Sequence, residues 1–205
     1  MIYITGDSFC HYRSPRHNDW PAVLAQQLNL NLAGVSFPGC GWWPAREPLL
    51  KHLEEHGSDT KLFVFCHTDC HRPLSNHKVL YSINDKEMVS AWETYYRHFN
   101  NEQIDYWVIE KWYLELNDVL AGYDVIHLQC FMTTNQFFPV LNGCRIATSL
   151  SERSLEFGDW GNGLVEDPRR NHFSEDQNIW LAEQILKCYR DWVNNNRPDK
   201  NYYLE

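Results

Sequence analysis

The sequence begins with the stretch Met1-Ile2-Tyr3-Ile4-Thr5-Gly6-Asp7-Ser8-Phe9-Cys10, in which strand-forming residues lead directly into Gly-Asp-Ser. β-branched and aromatic residues favour an extended backbone, and Gly followed by Asp ends it in a turn. In an α/β protein this order places Ser8 at the carboxyl edge of the first strand, where open parallel sheets hold their sites. A serine there can act as a nucleophile if a base reaches it. The alternative is an ordinary turn serine that satisfies local backbone amides.

Strands and helices alternate along the rest of the chain. Apolar and β-branched runs predict further strands, and periodic apolar residues predict helices between them. Ser174 and Gln177 form a capping-box pattern that opens the last helix. The predicted strands are 30–35, 61–66 and 123–131, and the predicted helices are 20–29, 45–56, two within 88–122, a short one near 149–157, and one from 174. This alternation predicts a three-layer α/β/α sandwich with a mainly parallel central sheet.

Composition limits the class of protein. The 205 residues are 43% hydrophobic and carry a net charge of −9, which is typical of one globular domain and does not favour nucleic-acid binding. No apolar run approaches the roughly 20 residues that a membrane-spanning helix needs, so we expect no membrane partner. We expect one domain over 1–205, with a polar, loosely held tail from about residue 196. The oligomeric state stays open.

The seven cysteines are an odd number, and because strand-forming residues start at the first positions we expect no secretory segment. This pattern predicts reduced thiols and a cytoplasmic location. The segment Cys66-His67-Thr68-Asp69-Cys70-His71 offers thiol and imidazole groups for a metal ion. A structural zinc site needs four ligands, however, and no second cysteine pair complements this one. We therefore predict no metal and no other cofactor.

Candidate catalytic groups follow the predicted strands. Ser8 follows the first strand, Gly39 the second, and Thr68 and Asp69 the third, while His172 precedes the last helix. Because the carboxyl ends of parallel strands meet at one edge of a sheet, these groups can converge. Acyl transfer needs such a set, namely a hydroxyl nucleophile, an imidazole base and donors directed at the developing oxyanion.

In these motifs the chain resembles the SGNH (GDSL-type) hydrolase family, as a divergent member. The resemblance covers nearly the whole chain by the order and spacing of four blocks. They are Gly6-Asp7-Ser8-Phe9, the turn around Gly39, Cys66-His67-Thr68-Asp69, and Asp167-Pro168-Arg169-Arg170-Asn171-His172. The resemblance implies an SGNH, flavodoxin-like fold and a serine esterase that needs no cofactor. It also implies Ser8 as nucleophile, His172 as base and then acid, and an oxyanion hole that includes the backbone N–H groups of Ser8 and Gly39.

Two positions depart from the family pattern. Thr68 replaces the asparagine whose side-chain amide donates to the oxyanion, and a threonine hydroxyl can donate one hydrogen bond with a shorter reach. Arg169 stands three residues before His172, where the family has aspartate. Asp167, five residues before His172, is the remaining candidate to orient the imidazole. Without it, a backbone carbonyl would orient the ring of a Ser–His dyad.

The expected substrate is a small-molecule or carbohydrate ester, with an O-acetyl group on a sugar as one candidate. Trp42 and Trp43 beside Gly39, together with Asp69, are candidate pocket residues. The aromatic pair could stack on a sugar or cover an acyl group, and the alternative is core packing. The alternative function is a carbohydrate- or ligand-binding protein on the same fold, with catalysis weakened or lost through the changes at Thr68 and Arg169. A third possibility is acyl transfer to an acceptor other than water.

Overall fold

The computed structural model describes residues 1–10, 19–36, 43–68, 94, 98, 101–131, 138–156 and 173–205. At Ser8, Trp43 and Leu155 it describes the backbone alone. Within these residues strands and helices alternate as the sequence predicts up to residue 131, and two further strands follow that it does not predict.

Six parallel strands form one sheet, in the order β2-β1-β3-β4-β5-β6. The strands are β1 (Ile2–Gly6), β2 (Leu32–Ala33), β3 (Leu62–His67), β4 (Asp124–Gln129), β5 (Cys144–Ile146) and β6 (Lys200–Tyr202). β3 is buried along its whole length, as its continuous apolar sequence predicts for a central parallel strand. The strand order reverses between β1 and β3, and ligands of open α/β sheets bind beside such a reversal.

Five helices of the described chain connect these strands. They are α1 (Trp20–Gln27), α2 (Trp43–His56), α3 (Glu102–Val119), α4 (Leu150–Glu156) and α5 (Glu175–Asn194). The Asn101 side chain caps the first turn of α3, which lies in the span 88–122 where the sequence predicts two helices. Ser174 and Gln177 form the predicted capping box of α5, because each side chain bonds to the backbone of the other.

The helices cover both faces of the sheet. Ile4 and Val64 belong to one apolar cluster, into which α1 contributes Leu24 and α5 contributes Ile185. The opposite face carries a second cluster, formed by the alternate strand residues and by buried residues of α2 and α3. Its members from the strands and these helices are Tyr3, Phe63, Phe65, Val125, Leu49, Ile109, Trp112, Tyr113 and Leu116. The predicted three-layer α/β/α sandwich is therefore confirmed.

The structure differs from the sequence prediction at the carboxyl end of the chain. The predicted loose tail contains β6, whose residues pair in parallel with β5. Leu204 beyond it is buried and donates its backbone N–H to Thr148 Oγ1 at 2.9 Å. Both β5 and β6 escape prediction because each has three residues and a polar or charged member. No helix in the described ranges combines the length and apolar character that a bilayer crossing needs.

Candidate active site

The end of β1 is fastened to the end of β3. Gly6 has φ +128°, and a Cβ at this position would lie 2.1 Å from the carbonyl oxygen of Cys66. Only glycine fits this close approach. The Asp7 N–H then donates to the same Cys66 oxygen at 3.0 Å, and the chain enters the short 3-10 turn Ser8–Cys10. The Gly-Asp-Ser sequence thus ends the strand at the carboxyl edge, as predicted.

Thr68, the residue after β3, bonds to Asp7 beside this turn. The Thr68 Oγ1 hydroxyl donates to Asp7 Oδ2 at 2.6 Å. Both side chains are almost fully buried, with 1% of Asp7 and 3% of Thr68 exposed. A cavity of about 10 Å³ lies next to the pair, which is room for about one water molecule. Because a hydroxyl has one proton, Thr68 can donate to an oxyanion only by giving up its bond to Asp7.

The described residues next to Ser8 and His172 contact each other. Phe9 follows Ser8, Phe173 follows His172, and their ring centroids are 6.1 Å apart in an edge-on arrangement. Phe9 is also held by Trp20, whose indole Nε1 donates to the Phe9 carbonyl at 2.6 Å. This contact brings Phe9 and Phe173 together beside the turn that follows β1.

The start of α5 is fixed in the same region by Asn178. Its side-chain oxygen accepts the Trp20 N–H at 3.2 Å, and its amide nitrogen donates to the Phe173 and Ser174 carbonyls at 3.2 and 2.9 Å. The segment that follows His172 is therefore anchored to α1 by hydrogen bonds as well as by aromatic packing.

Several predicted site residues lie outside the described residues. These are Gly39, Trp42, Asp69, Asp167 and His172. Trp43 begins α2, and its backbone alone is described. Of the predicted set, the described residues bring together the turn that carries Ser8 and the side chain of Thr68. The roles assigned to all of these residues, Ser8 and Thr68 included, stay predictions.

Two histidines form a buried pair beside this edge that the sequence analysis did not identify. His67 Nε2 and His127 Nδ1 are 2.9 Å apart, and His127 Nε2 lies 3.0 Å from the Asn142 carbonyl. Because a carbonyl only accepts, His127 Nε2 carries the proton and His67 Nε2 donates to His127 Nδ1. Burial lowers the pKa of His67 well below its usual value and the pKa of His127 to about 3. Both rings are therefore neutral near pH 7.

No signal in the sequence joins these histidines, because 60 residues separate them. Their register explains the pairing, since β3 and β4 are neighbours and both side chains lie on the α3 side of the sheet. Tyr113 of α3 packs edge-on against His67, with ring centroids 4.7 Å apart. The low pKa of each imidazole makes it a weak general base, so the pair fits a structural role better than a catalytic one.

The Cys66 thiol, at the end of β3, is also a poor nucleophile. Cys66 is buried, and its pKa is raised well above the usual value by burial and by the neighbouring thiols of Cys10 and Cys130. Since the thiolate is the reactive form, a raised pKa disfavours cysteine chemistry at this edge. The five described cysteines are free, and no group of three or more metal-ligating side chains occurs within the described ranges.

A larger cleft of about 680 Å³ lies at the opposite edge of the sheet, at the start of β4. Its charged residues largely satisfy each other. Arg197 donates to Asp124 at 2.7 and 3.1 Å, and Asp199 accepts the Gly143 N–H at 2.8 Å. This edge holds the amino ends of the strands, away from Ser8 and Thr68.

No family model matches the chain, and no curated protein matches its sequence. Among solved structures, a crystal structure of an acetyl xylan esterase matches with a TM-score of 0.49 and 9% sequence identity. The match covers 91% of this chain and 98% of that chain. The resemblance of the motifs to SGNH hydrolases therefore stays a prediction.

Proposed function

We propose that this protein is a serine ester hydrolase of the SGNH type, acting through an acyl-enzyme on Ser8 with His172 as the general base. The observation that carries the proposal is the contact between Phe9 and Phe173. Consecutive Cα atoms are about 3.8 Å apart, and this short spacing supports the proposal that the neighbours preceding Phe9 and Phe173 act together. Ser8 and His172 are those neighbours.

The proposed chemistry follows from these two groups. The Ser8 hydroxyl attacks the ester carbonyl while His172 Nε2 takes its proton, and the backbone N–H groups of Ser8 and Gly39 stabilise the oxyanion. His172 then returns the proton to the leaving alcohol as the C–O bond breaks. Water attacks the acyl-enzyme in the same manner, which releases the acid and restores Ser8. Asp167, or a backbone carbonyl in its place, orients the imidazole through Nδ1–H.

The surroundings support serine chemistry over the other nucleophiles at this edge. Burial raises the pKa of the nearby Cys66 thiol. Burial lowers the pKa of the nearby His67 imidazole, whose Nε2–H group donates a hydrogen bond to His127. We propose a small-molecule or carbohydrate ester as the substrate, with Trp42 and Trp43 beside the acyl or sugar group. An aromatic face suits a sugar ring because it offers apolar area with fixed geometry.

Hydrolysis of short-chain p-nitrophenyl esters, with a fluorophosphonate label as a second measurement, tests the proposal. Ser8→Ala should abolish the label and lower kcat by about 1,000-fold or more, because removing a nucleophile removes the covalent route. Ser58→Ala is the matched control, since Ser58 is an exposed serine in the turn after α2. A label that persists in Ser8→Ala would contradict the proposal.

The second candidate is a ligand-binding protein without turnover. The bond between Thr68 and Asp7 favours it, because the hydroxyl that replaces the family's asparagine amide is already in use. Loss of one oxyanion donor costs roughly 100- to 1,000-fold in rate in other hydrolases. A wild type that neither hydrolyses esters nor takes the label would favour this candidate.

A further inference from the structure

We infer that Thr68 acts on the proposed reaction through Asp7, as a positioning residue for the turn that carries Ser8, and not as an oxyanion donor. This inference rests on the proposed function of Ser8. We call the pair the Asp7–Thr68 latch, because its hydrogen bond joins the residue before Ser8 to the residue after β3.

The latch is strong by its geometry and its surroundings. Its oxygens are 2.6 Å apart, both side chains are buried, and the acceptor is a carboxyl group. Hydrogen bonds to an ionised acceptor are shorter and about twice as strong as neutral ones, and burial strengthens them further. If Thr68 donated to an oxyanion, the buried Asp7 carboxyl group would lose a hydrogen-bond partner. The free energy lost in this way would raise the activation barrier and slow the reaction.

The backbone of Asp7 is held as firmly as its side chain. Its N–H donates to the Cys66 carbonyl at 3.0 Å, and its own carbonyl accepts from the Cys10 N–H at 3.1 Å and from Cys10 Sγ at 3.0 Å. The Asp7 carbonyl shares a peptide plane with the Ser8 N–H. Because a trans peptide directs these two groups in opposite directions, fixing the carbonyl toward Cys10 fixes the Ser8 N–H on the other side.

The latch therefore controls the donor that the proposed oxyanion hole takes from Ser8. Rotation of the Asp7–Ser8 peptide would move both the Ser8 N–H and the side chain that follows it. A displacement of about 1 Å at a reacting group costs about 100-fold in rate. The side-chain bond to Thr68 adds a fourth hydrogen bond to the three that hold the Asp7 backbone.

A double-mutant cycle on the full chain tests the inference. The variants are Thr68→Val, which removes the hydroxyl from a side chain of similar shape, Asp7→Ala, and the double variant. The fluorophosphonate labelling rate of folded protein is measured, along with kcat and KM for a p-nitrophenyl ester. We expect each single variant to lower the labelling rate and kcat about 10- to 100-fold with KM little changed. The double variant should be no slower than Asp7→Ala, and Thr68→Ser should restore most of the rate.

The outcomes separate the two proposals. If Thr68 donates directly to the oxyanion, Thr68→Val costs the same factor with and without Asp7, which would overturn the inference and leave the serine hydrolase standing. A wild type without label or turnover overturns the proposed function, and the inference with it. If Asp7→Ala does not fold, Asp7→Asn replaces it, and the effect of Thr68→Val should shrink in that background. An unchanged effect there would also overturn the inference.

Discussion

At Gly6 the backbone of β1 passes so close to β3 that there is no room for a Cβ atom. The residue has φ +128°, and the Cβ of any other residue would lie 2.1 Å from the Cys66 carbonyl oxygen. Such a substitution combines an unfavourable backbone conformation with a collision against rigid backbone. Gly6 also directs the chain into Asp7 and Ser8, so it joins the stability of the sheet to the geometry of the candidate site.

We predict that Gly6→Ala lowers the free energy of unfolding by about 3 kcal/mol, from backbone strain together with steric overlap. Gly122→Ala is the matched control. Gly122 has φ +90°, but nothing lies within 4 Å of its Cβ position, so strain alone should cost about 1 kcal/mol. Urea unfolding of the two variants measures the difference. Equal losses would show that the contact with Cys66 does not determine the turn.

The pairing of β3 with β4 buries two titratable side chains that the fold keeps neutral. His67 and His127 lie on the side of the sheet covered by α3, and their imidazoles are joined by one hydrogen bond. Desolvation is the largest cause of the lowered pKa of each, and His67 is lowered further by His127. The hydrogen bond between the imidazoles adds to the backbone hydrogen bonds that join β3 to β4. Because the fold keeps both rings neutral, the native state loses stability in acid.

Stability should consequently fall as the pH falls. The pKa of each folded imidazole lies below the unfolded value of about 6.5, so below that pH the unfolded chain binds protons that the native state does not. The contribution is complete above about pH 6.5 and decreases as the pH falls toward 3. Between pH 7.5 and 5.5, each histidine should lower the free energy of unfolding by about 1.4 kcal/mol.

His127→Gln measures this dependence, because glutamine does not titrate. Urea unfolding at pH 7.5, 6.5 and 5.5 should show that the variant loses about 1.4 kcal/mol less than wild type across the range. His98→Gln is the control, since the His98 side chain is exposed and should leave the wild-type dependence in place. A His127→Gln protein with the wild-type pH dependence would contradict the assignment.

At the scale of the whole molecule, the sequence predicts the centre of the sheet better than its edge. β1 and β3 are mainly apolar and β-branched, and β4 carries Val125, Ile126 and Leu128 between polar residues, so each segment by itself favours a strand. β5 and β6 read Cys-Arg-Ile and Lys-Asn-Tyr, and they become strands only because β4 offers an edge on which they pair in turn. No local pattern in either segment carries that information.

The same distinction applies to the candidate site. The position of Ser8 and Thr68 at one edge follows from where each strand ends, and the sequence predicts it. The bond between Thr68 and Asp7 does not follow, because 61 residues separate them and the register of β1 against β3 sets their distance. The sequence-based interpretation of Thr68 as an oxyanion donor came from its place in a motif, and a motif does not show which group accepts a hydroxyl proton.

The carboxyl-terminal segment forms one edge of the sheet and contributes to the core. β6 accepts the Ala147 N–H at the Tyr202 carbonyl at 2.9 Å, and the backbone continues into Leu204, of which 8% is exposed. The residue between them, Tyr203, is 65% exposed. Leu204 also belongs to the apolar cluster that contains buried residues of α1 and α5. Tyr203 and Leu204 therefore differ sharply in burial, since Leu204 packs into the core and Tyr203 faces solvent.

We predict that Leu204→Ala lowers the free energy of unfolding by about 2–3 kcal/mol, because it removes buried methyl groups and leaves a cavity. Tyr203→Ala, the matched control, should change it by no more than about 0.5 kcal/mol. Urea unfolding followed by tryptophan fluorescence measures both. A loosely held tail would give small and equal effects, and that result would contradict the place of β6 at the edge of the sheet. A large effect confined to Leu204 would show that the last residues complete the same core that supports the Ser8 turn.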